Sequence, residues 1–296
     1  MEKLIEQSLK ATSDLIFRYL FGDEDSVDIL LSFVNAVLAH SGFPKIVEIE
    51  IRNPFSLAKC LDEKTAILDI KAKDEQGREY DIEMQNQGDD SFKERSLFYW
   101  AKTYSAQPIK GDKHKTLRPT ICINVLDFTL FPDTKKYHTC FLLKELEEGF
   151  VCTDHISFHY LELPKLTKSL ESVIFKEGNY TKHPLESWLL YLKNEGAAAK
   201  TDPRTLEGLM AVPEIEKAHR KYARFTEDEE KRDLALRRLI WRMDQNSLMD
   251  SAREDGIEQG KNEKALEDAK NFKALGVSID IICKATGLDK ETAEDL

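Results

Sequence analysis

The chain has 296 residues, and its 54 acidic side chains outnumber its 43 Lys and Arg side chains, so the formal net charge is −11. Non-specific coating of DNA depends on many cations that meet phosphates, so this charge excludes a broad DNA-coating surface and leaves only a local site. The five cysteines are scattered and none forms a C-x-x-C pair, which excludes a disulfide framework and a cysteine-rich zinc site.

Helix and strand signals alternate along the first half of the chain. Residues 12–22 begin with three N-cap residues and end at glycine, which predicts a helix, and residues 26–40 carry a helical apolar stripe. Residues 45–54 alternate apolar and charged side chains, as a half-buried strand does, and residues 65–87 predict a β-hairpin. A further helix and two strands are predicted at 91–107, 119–131 and 156–163. This order predicts an α/β fold, a mixed sheet flanked by helices.

Beyond Pro164 the strand signals stop. Residues 183–272 have helical spacing almost throughout, and residues 275–296 predict two short helices around a turn. We therefore expect three parts: a core, a helical region that packs on it, and a charged helical tail that ends in a helix-turn-helix-like element. Their bounds are 1–165, 166–250 and 251–296. The acidic last helix would be repelled by DNA phosphates, so we expect the terminal element to serve packing or self-association. The charged helix before it is expected to be solvated or to pair with its copy in a homodimer.

The cellular location is predicted from the first residues and the apolar runs. The opening MEKLIEQSLK lacks the basic and then apolar layout of a signal peptide, and the longest apolar run is too short to span a bilayer. Together with the scattered cysteines, these features predict a cytoplasmic protein with no membrane partner.

The predicted hairpin has two chemically different faces. Alternation places the apolar side chains of both strands on one face and most of the charged ones on the other. A three-residue loop that ends with Gly77 sets a register in which Lys71 lies across from Asp81, and Asp69 across from Glu83. Opposed residues have Cβ atoms only ~4.5–5.5 Å apart, so the carboxylates of Asp69 and Glu83 would repel each other.

Two interpretations of this polar face stay open. In the first, a divalent cation relieves the repulsion. Oxygen ligands suit Mg²⁺, with Mn²⁺ as a substitute, and Asp69 and Glu83 would hold the ion together with water and a substrate phosphate. In the second, the face is simply solvated and carries cross-strand ion pairs, such as Lys71 with Asp81.

Several blocks in a fixed order resemble a known family. They are TSDLIFRYLFG, LLSFVNAVL, LDIKAKDEQGREYDIEMQ, FKERSLFYWAKTYSAQ and RPTICINVLDFTLF. Asp69, a hairpin and Glu83-x-Gln85 resemble the D…(D/E)-x-K core of the PD-(D/E)XK nucleases, in the variant where Gln replaces Lys. Residues 11–131 as a whole resemble the recombination-promoting nuclease (Rpn) family, whose members also carry the name transposase. The charged helical tail is similar to that family's as well.

The resemblance implies a restriction-endonuclease-like fold followed by a helical C-terminal region. It also implies Mg²⁺-dependent endonuclease cleavage of DNA and a part in recombination between bacterial DNAs. Asp69 and Glu83 are then the expected metal ligands, and Gln85 occupies the position of the usual lysine.

The exchange of lysine for Gln85 changes the available chemistry. An ammonium can stabilise a charged transition state or assist the attacking water, whereas an amide only donates and accepts hydrogen bonds. Either Gln85 orients water, or a lysine elsewhere compensates. Lys71, on the same face as Asp69, is the candidate for that role. The alternative is that Lys71 only pairs with Asp81.

The helix after the hairpin offers candidate substrate contacts. Arg95, Tyr99 and Lys102 fall on one helix face by i, i+4, i+7 spacing. Arg95 and Lys102 would hold the DNA backbone, and Tyr99 would stack on the substrate or hydrogen-bond to it. The alternative is an amphipathic helix with its tyrosine in the core and its cations solvated. Asp14 is a further acidic candidate for the site, although it also suits a helix N-terminus.

Three functions therefore remain open. The first is a metal-dependent DNA endonuclease. The second is a catalytically weakened or inactive relative that binds nucleic acid or protein, a reading that Gln85 favours. The third is a phosphodiesterase of the same fold that acts on RNA or nucleotides. No separate triad of acidic residues typical of strand-joining transposases is apparent in the sequence, so strand joining is not expected.

Overall fold

The computed structural model describes residues 2–55, 69–88, 91–108, 114–166, 180–196 and 203–296. The chain divides into two compact units, Met1–Leu236 and Arg237–Leu296. The first unit carries a β-sheet, and the second is helical. Within the described ranges, no helix combines the length and the apolar character that crossing a membrane requires.

Three helices open the first unit. They are α1 (Glu2–Ser8), α2 (Asp14–Phe21) and α3 (Val27–His40). The Ser13 side chain caps α2 by accepting a hydrogen bond from the Ile16 N–H, and Gly22 follows its last residue. This confirms the two helices predicted for this part of the chain.

A mixed six-stranded sheet forms the centre of the first unit. Its strands are β1 (Ile49–Ile51), β2 (Ile70–Asp74), β3 (Glu79–Gln85), β4 (Thr120–Leu126), β5 (His138–Leu142) and β6 (Ile156–Glu162). They lie in the order β1-β2-β3-β4-β6-β5. β4 pairs in parallel with β3 and with β6, and the outer pairs are antiparallel. Every residue of β4 is buried, as expected for a central strand covered on both faces.

Helices cover both faces of this sheet. Helix α4 (Phe92–Ser105) connects β3 to β4 and packs on both strands. After β6 the unit continues with α5 (Pro184–Asn194), α6 (Pro203–Leu209) and α7 (Pro213–Glu227). The structure confirms the predicted fold class: a restriction-endonuclease-like mixed sheet flanked by helices, followed by a long helical C-terminal region.

The two faces of the hairpin enter different environments. Ile70, Tyr80 and Ile82 belong to the main hydrophobic core, which also contains buried aromatic rings of α2, α3 and α5 such as Phe17 and Trp188. A second, smaller core around Phe92, Leu126 and Phe158 lies under α4. Lys71 and Asp81 lie on the opposite face of these strands and therefore point toward the α4 layer, where Lys71 Nζ donates to Thr103 Oγ1.

Strand β5 is absent from the sequence-based prediction. Its sequence, HTCFL, lacks a clear alternation, and the strand forms through antiparallel pairing with β6 at the edge of the sheet. Strand β1 is also shorter than the predicted 45–54. Residues 65–68 of the predicted hairpin lie outside the described residues, and the predicted three-part division stays a prediction.

The second unit contains most of a single long helix and two short ones. Helix α8 (Glu229–Ala274) runs for 46 residues and is followed by α9 (Ile279–Thr286) and α10 (Lys290–Asp295). Gly287 ends α9 in the left-handed conformation that glycine adopts easily. A small core that includes Ala269 and Ile282 holds the short helices to the end of α8. The two predicted terminal helices are confirmed.

Candidate active site

A tight turn sets the register of the hairpin that carries the predicted site residues. Gly77 adopts φ of +80°, a conformation that glycine reaches without a steric penalty. The β2–β3 ladder pairs Lys71 with Asp81, which confirms the predicted register. Asp69 lies just before β2, so its predicted position opposite Glu83 falls one residue beyond the ladder.

Two side chains from other elements hold the backbone where β2 begins. The Arg18 guanidinium of α2 donates to the carbonyl oxygen of Asp69, and Asn53 Nδ2 donates to the same oxygen at 3.1 Å. Asn53 Oδ1 accepts the backbone N–H of Lys71 at 2.8 Å. Arg18 and Asn53 therefore position Asp69 and Lys71 relative to the rest of the sheet.

The ammonium of Lys71 lies between two carboxylates. Its Nζ is 2.9 Å from Asp69 Oδ2 and 2.5 Å from Asp81 Oδ2, and it donates to Thr103 Oγ1 of α4 at 3.2 Å. Burial lowers the pKa of Lys71, but the attraction of Asp81 and Asp69 outweighs burial, so the net pKa is raised. Lys71 therefore stays charged at neutral pH. It contacts both Asp69, the predicted metal ligand, and Asp81, its partner in the alternative interpretation.

Three carboxylates, Asp69, Asp81 and Glu83, form what we call the carboxylate cluster. Burial raises the pKa of Asp81 to about 7, with Lys71 opposing the rise and Glu83 and Asp69 adding to it. Burial also raises the pKa of Glu83, and the neighbouring Asp69 carboxylate adds to that rise. Burial is the largest cause of both shifts, and repulsion between neighbouring carboxylates adds to it.

The opposite end of the cluster is tied to α4 through an amide. Gln85 Nε2 donates to Glu83 Oε2 at 3.0 Å, and Arg95 Nη2 donates to Gln85 Oε1 at 3.3 Å. The Arg95 guanidinium also lies 5.1 Å from the centroid of the Phe92 ring. Gln85 therefore connects Glu83 to Arg95, which places three of the predicted site residues in one hydrogen-bonded chain.

The carboxylate oxygens of the cluster are donors of the chemical type that a hard divalent cation prefers. Asp69 Oδ1 and Asp81 Oδ1 are buried, and neither has a hydrogen-bond partner within the described part of the chain. A buried carboxylate oxygen without a partner is costly, and oxygen-only ligand sets are those that Mg²⁺ and Mn²⁺ prefer. Among the described residues, no set of three or more His, Cys, Asp or Glu side chains already stands arranged for a metal ion. The Lys71 ammonium lies between Asp69 and Asp81 in this arrangement.

The remaining predicted site residues have different surroundings. Tyr99 is 37% exposed and packs edge-on against Phe98, so it is not part of the core as the alternative interpretation had it. Lys102 is exposed. Asp14 lies in the first turn of α2, where its carboxylate accepts the Leu15 N–H at 2.8 Å, an arrangement that favours a helix N-terminus.

Sequence reasoning treated Asp81 only as an ion-pair partner and did not single out Asn53, Arg18 or Thr103. The alternation of DIEMQ places Asp81 on the same face as Glu83, so its membership in the cluster was readable from the pattern. Nothing in the local sequence points to the other three, because their roles depend on contacts between distant segments.

A comparison with protein families matches residues 11–252 to the family described as PD-(D/E)XK nuclease family transposase. The match covers more than half of the chain and includes all six strands of the sheet. No curated protein matches the chain, and no solved structure matches it.

Proposed function

Because this chain belongs to the family of PD-(D/E)XK nuclease transposases, we propose that it is a metal-dependent endonuclease that hydrolyses DNA phosphodiester bonds. One observation carries the proposal: within the described part of the chain, Asp69 and Asp81 share the ammonium of Lys71, and each keeps one buried oxygen without a partner. Stable folds give nearly all buried polar atoms a hydrogen-bond partner, so carboxylate oxygens that lack one favour a ligand-binding site.

We assign the ion to the carboxylate cluster. Asp69 and Glu83 would hold Mg²⁺, with Mn²⁺ as a substitute. Asp81 is a third candidate ligand, because its Oδ1 atom has no partner among the described residues. When bound, such an ion polarises a phosphate oxygen and lowers the pKa of a coordinated water.

The Lys71 ammonium has a role in this proposal that is separate from that of the metal ion. Lys71 stabilises the negative charge that develops on the phosphate during attack, the role that the usual lysine has in this superfamily. Asp81 acts as its positioning residue, because a 2.5 Å ion pair holds the ammonium on the cluster side of β2.

Gln85 and Arg95 complete the proposed site. The Gln85 amide orients water beside Glu83, and Arg95 fixes that amide through the 3.3 Å hydrogen bond and adds positive charge near the substrate phosphates. Tyr99 and Lys102, both exposed on α4, extend the surface that receives the DNA. DNA as the substrate, a part in recombination between bacterial DNAs and a cytoplasmic location belong to the same proposal.

Cleavage of supercoiled plasmid tests this function directly. Purified protein with Mg²⁺ should nick or linearise the plasmid, and EDTA should stop the reaction. D69A and E83A should each lose cleavage, whereas E79A should keep it, because Glu79 lies on the same strand and face but pairs with Lys73 instead. Cleavage of RNA but not of DNA, or full activity in D69A, would contradict the proposal.

The second candidate is a nucleic-acid-binding relative without catalysis. Gln85 in place of lysine favours it, as does the Lys71 ammonium between Asp69 and Asp81, where a metal ion would otherwise lie. In that case, the protein would bind plasmid in a mobility-shift assay and leave the plasmid intact at every Mg²⁺ and Mn²⁺ concentration.

A homodimer through helix α8 is also part of the proposal. The second unit exposes large apolar side chains along this helix, among them Trp241, Leu248 and Met249, and isolated helices gain most of their stability from packing such side chains. Analytical ultracentrifugation should therefore report a dimer that the double variant L248E/M249E converts to a monomer. S251E, which adds a charge at an exposed polar position, should leave the dimer unchanged.

A further inference from the structure

Helix α4 is attached to the carboxylate cluster at two points along its length. Lys71 Nζ donates to Thr103 Oγ1 at 3.2 Å, and Arg95 Nη2 donates to Gln85 Oε1 at 3.3 Å. These contacts fix the rotation of α4 about its own axis. The side chains that neighbour Arg95 and Thr103 on the helix surface therefore lie at the border of the proposed site.

Two adjacent aromatic side chains at this border are exposed. Phe98 is 64% exposed and Tyr99 is 37% exposed, and their ring centroids are 5.8 Å apart at an interplanar angle of 62°. Phe92, on the covered side of the same helix, is fully buried. A phenylalanine ring that keeps most of its surface in water gains little from burial, so packing within the described chain does not account for Phe98. Exposed apolar side chains next to a polar site favour a surface for a partner.

Two cations flank these rings on the same helix. Arg95 precedes Phe98 by three residues and Tyr99 by four, and Lys102 follows them by four and three. Side chains at these separations are neighbours on a helix surface, with Cβ atoms ~5–6 Å apart. Arg95, Phe98, Tyr99 and Lys102 therefore form one continuous surface, which we call the α4 patch. The exposed Glu94 borders it beside Phe98, on the side away from Tyr99.

The groups of the α4 patch match a DNA strand whose bases are unpaired. Arginine and lysine bind phosphates, and exposed aromatic rings stack on bases of any sequence. In an intact duplex the base faces are stacked on one another, so a surface aromatic reaches them only where the stack is open. Stacking also supplies affinity that a chain with a net charge of −11 does not gain from a broad basic surface. The two cations and the attachment of α4 to the carboxylate cluster favour DNA over a protein as the partner.

We propose that the α4 patch binds unpaired nucleotides, which makes single-stranded or locally melted DNA the preferred ligand of this protein over intact duplex. Phe98 and Tyr99 stack on the bases, and Arg95 and Lys102 hold the phosphates between them. The inference rests on the proposed function, because it takes DNA as the substrate of the carboxylate cluster. The strand held on α4 then lies beside the metal ligands.

Fluorescence anisotropy of the full chain in EDTA tests the α4 patch without any cleavage. A short labelled single strand should bind about tenfold more tightly than the blunt duplex of the same sequence, and F98A should remove most of that advantage. K102A should weaken the binding of both DNAs, because both carry phosphates. L97A is the matched control: Leu97 is 50% exposed on the same helix, but the helical rotation directs it away from the patch. Equal affinity for the two DNAs in wild type would overturn the proposal.

Two further variants at Phe98 separate stacking from a simple apolar contact. F98Y keeps a flat ring and should bind the single strand as wild type does. F98L keeps an apolar side chain without a ring and should bind it as weakly as F98A. Wild-type affinity in both F98A and F98L would overturn the proposal. If these two variants instead changed the sedimentation of the protein alone and left its DNA affinity intact, the patch would be a protein interface and the proposal would be wrong.

Cleavage distinguishes this inference from the proposed function. With Mg²⁺, wild type should cut negatively supercoiled plasmid, in which base pairs open more readily, faster than relaxed plasmid of the same sequence, and F98A should lose most of that difference. Equal rates on the two plasmids in wild type would overturn the inference and leave the endonuclease in place. Preferential binding of single strands without cleavage in Mg²⁺ or Mn²⁺ would support the patch and contradict the endonuclease.

Discussion

The hairpin contains one buried aspartate near its turn, Asp74, and one nearer its open end, Asp81, and their carboxylates differ in how many partners they have. At the turn, Asp74 is 6% exposed and both its oxygens are satisfied. Oδ1 accepts the backbone N–H groups of Gln76 and Arg78, and Oδ2 accepts Arg78 Nε at 2.5 Å and the Tyr80 hydroxyl at 2.9 Å. At the open end, Asp81 is 3% exposed, pairs through Oδ2 with Lys71 and leaves Oδ1 without a partner in the described structure.

This difference separates a structural carboxylate from one kept for binding. Four donors around Asp74 stabilise the turn and set the register of β2 and β3. Around Asp81, burial and the repulsion of Glu83 and Asp69 raise its pKa, and Lys71 offsets only part of that. The closed end contributes to the stability of the fold, and the open end retains the capacity to take up positive charge.

Removal of the Lys71 ammonium, at the open end of the hairpin, should have the largest effect on the rate of cleavage. K71M should reduce plasmid cleavage by about 10²–10³-fold, the range for losing one group that stabilises a transition state. K73M is the matched control, because Lys73 lies on the same strand and face but pairs with Glu79 at 3.4 Å. Rates measured under single-turnover conditions distinguish the two variants. Equal losses in K71M and K73M would mean that position within the hairpin has no bearing on catalysis.

Replacing Asp74 or Asp81 with asparagine should change the free energy of unfolding by different amounts. D74N should lower the free energy of unfolding by about 3 kcal/mol, because it leaves the Arg78 guanidinium without its carboxylate in a largely buried site. D81N should not lower it, since Asp69 still pairs with Lys71 and burial already disfavours the ionised Asp81 carboxylate. Urea denaturation at neutral pH measures both. A larger loss in D81N than in D74N would reverse the comparison.

The pH dependence of stability should show a smaller effect with a defined sign. Because the folded state raises the pKa of Asp81 to about 7 from its usual 3.8, ionisation opposes folding, and stability falls as pH rises between those values. The free energy of unfolding of D81N should therefore rise relative to that of wild type by roughly 1–2 kcal/mol between about pH 5 and 7. D133N, at an exposed aspartate, should run parallel to wild type.

The stability contribution of the buried His138 and His159 imidazoles, whose Nε2 and Nδ1 atoms lie 3.1 Å apart, should depend on pH in the opposite sense. The folded pKa values of His138 and His159, about 3 and about 4, lie below the usual 6.5, so the unfolded chain binds more protons as pH falls. Stability should therefore decline below about pH 6.5, and H138Q should flatten that decline in denaturation curves. If the stability of H138Q declined as steeply as that of wild type below about pH 6.5, these imidazoles would not be the cause of the decline.

The parts of the fold that sequence reasoning recovered are those set by local patterns. The Ser13 cap, the glycine after α2 and the turn at Gly77 are local features, and the hairpin register follows from the loop length. Strand β5 escaped prediction because an edge strand with a mixed pattern forms only through its pairing with β6.

The candidate site was predictable in part for the same reason. Alternation alone places Lys71, Asp81 and Glu83 on one face of the hairpin. The contacts of Arg18 and Asn53 with the Asp69 carbonyl were not predictable, because they join segments 51 and 16 residues apart. Burial, which controls the pKa of Asp81, depends on how α4 covers that face, and no local pattern reports it.

Binding of Mn²⁺ to the protein without DNA tests the central claim most directly, because it asks whether the open end of the hairpin takes up a cation. Calorimetric titration should show a single Mn²⁺ bound per chain in wild type and in E79A, with affinity at least about tenfold weaker in D69A and in E83A. If D69A and E83A bound Mn²⁺ as tightly as wild type, the carboxylate cluster would not be the metal centre.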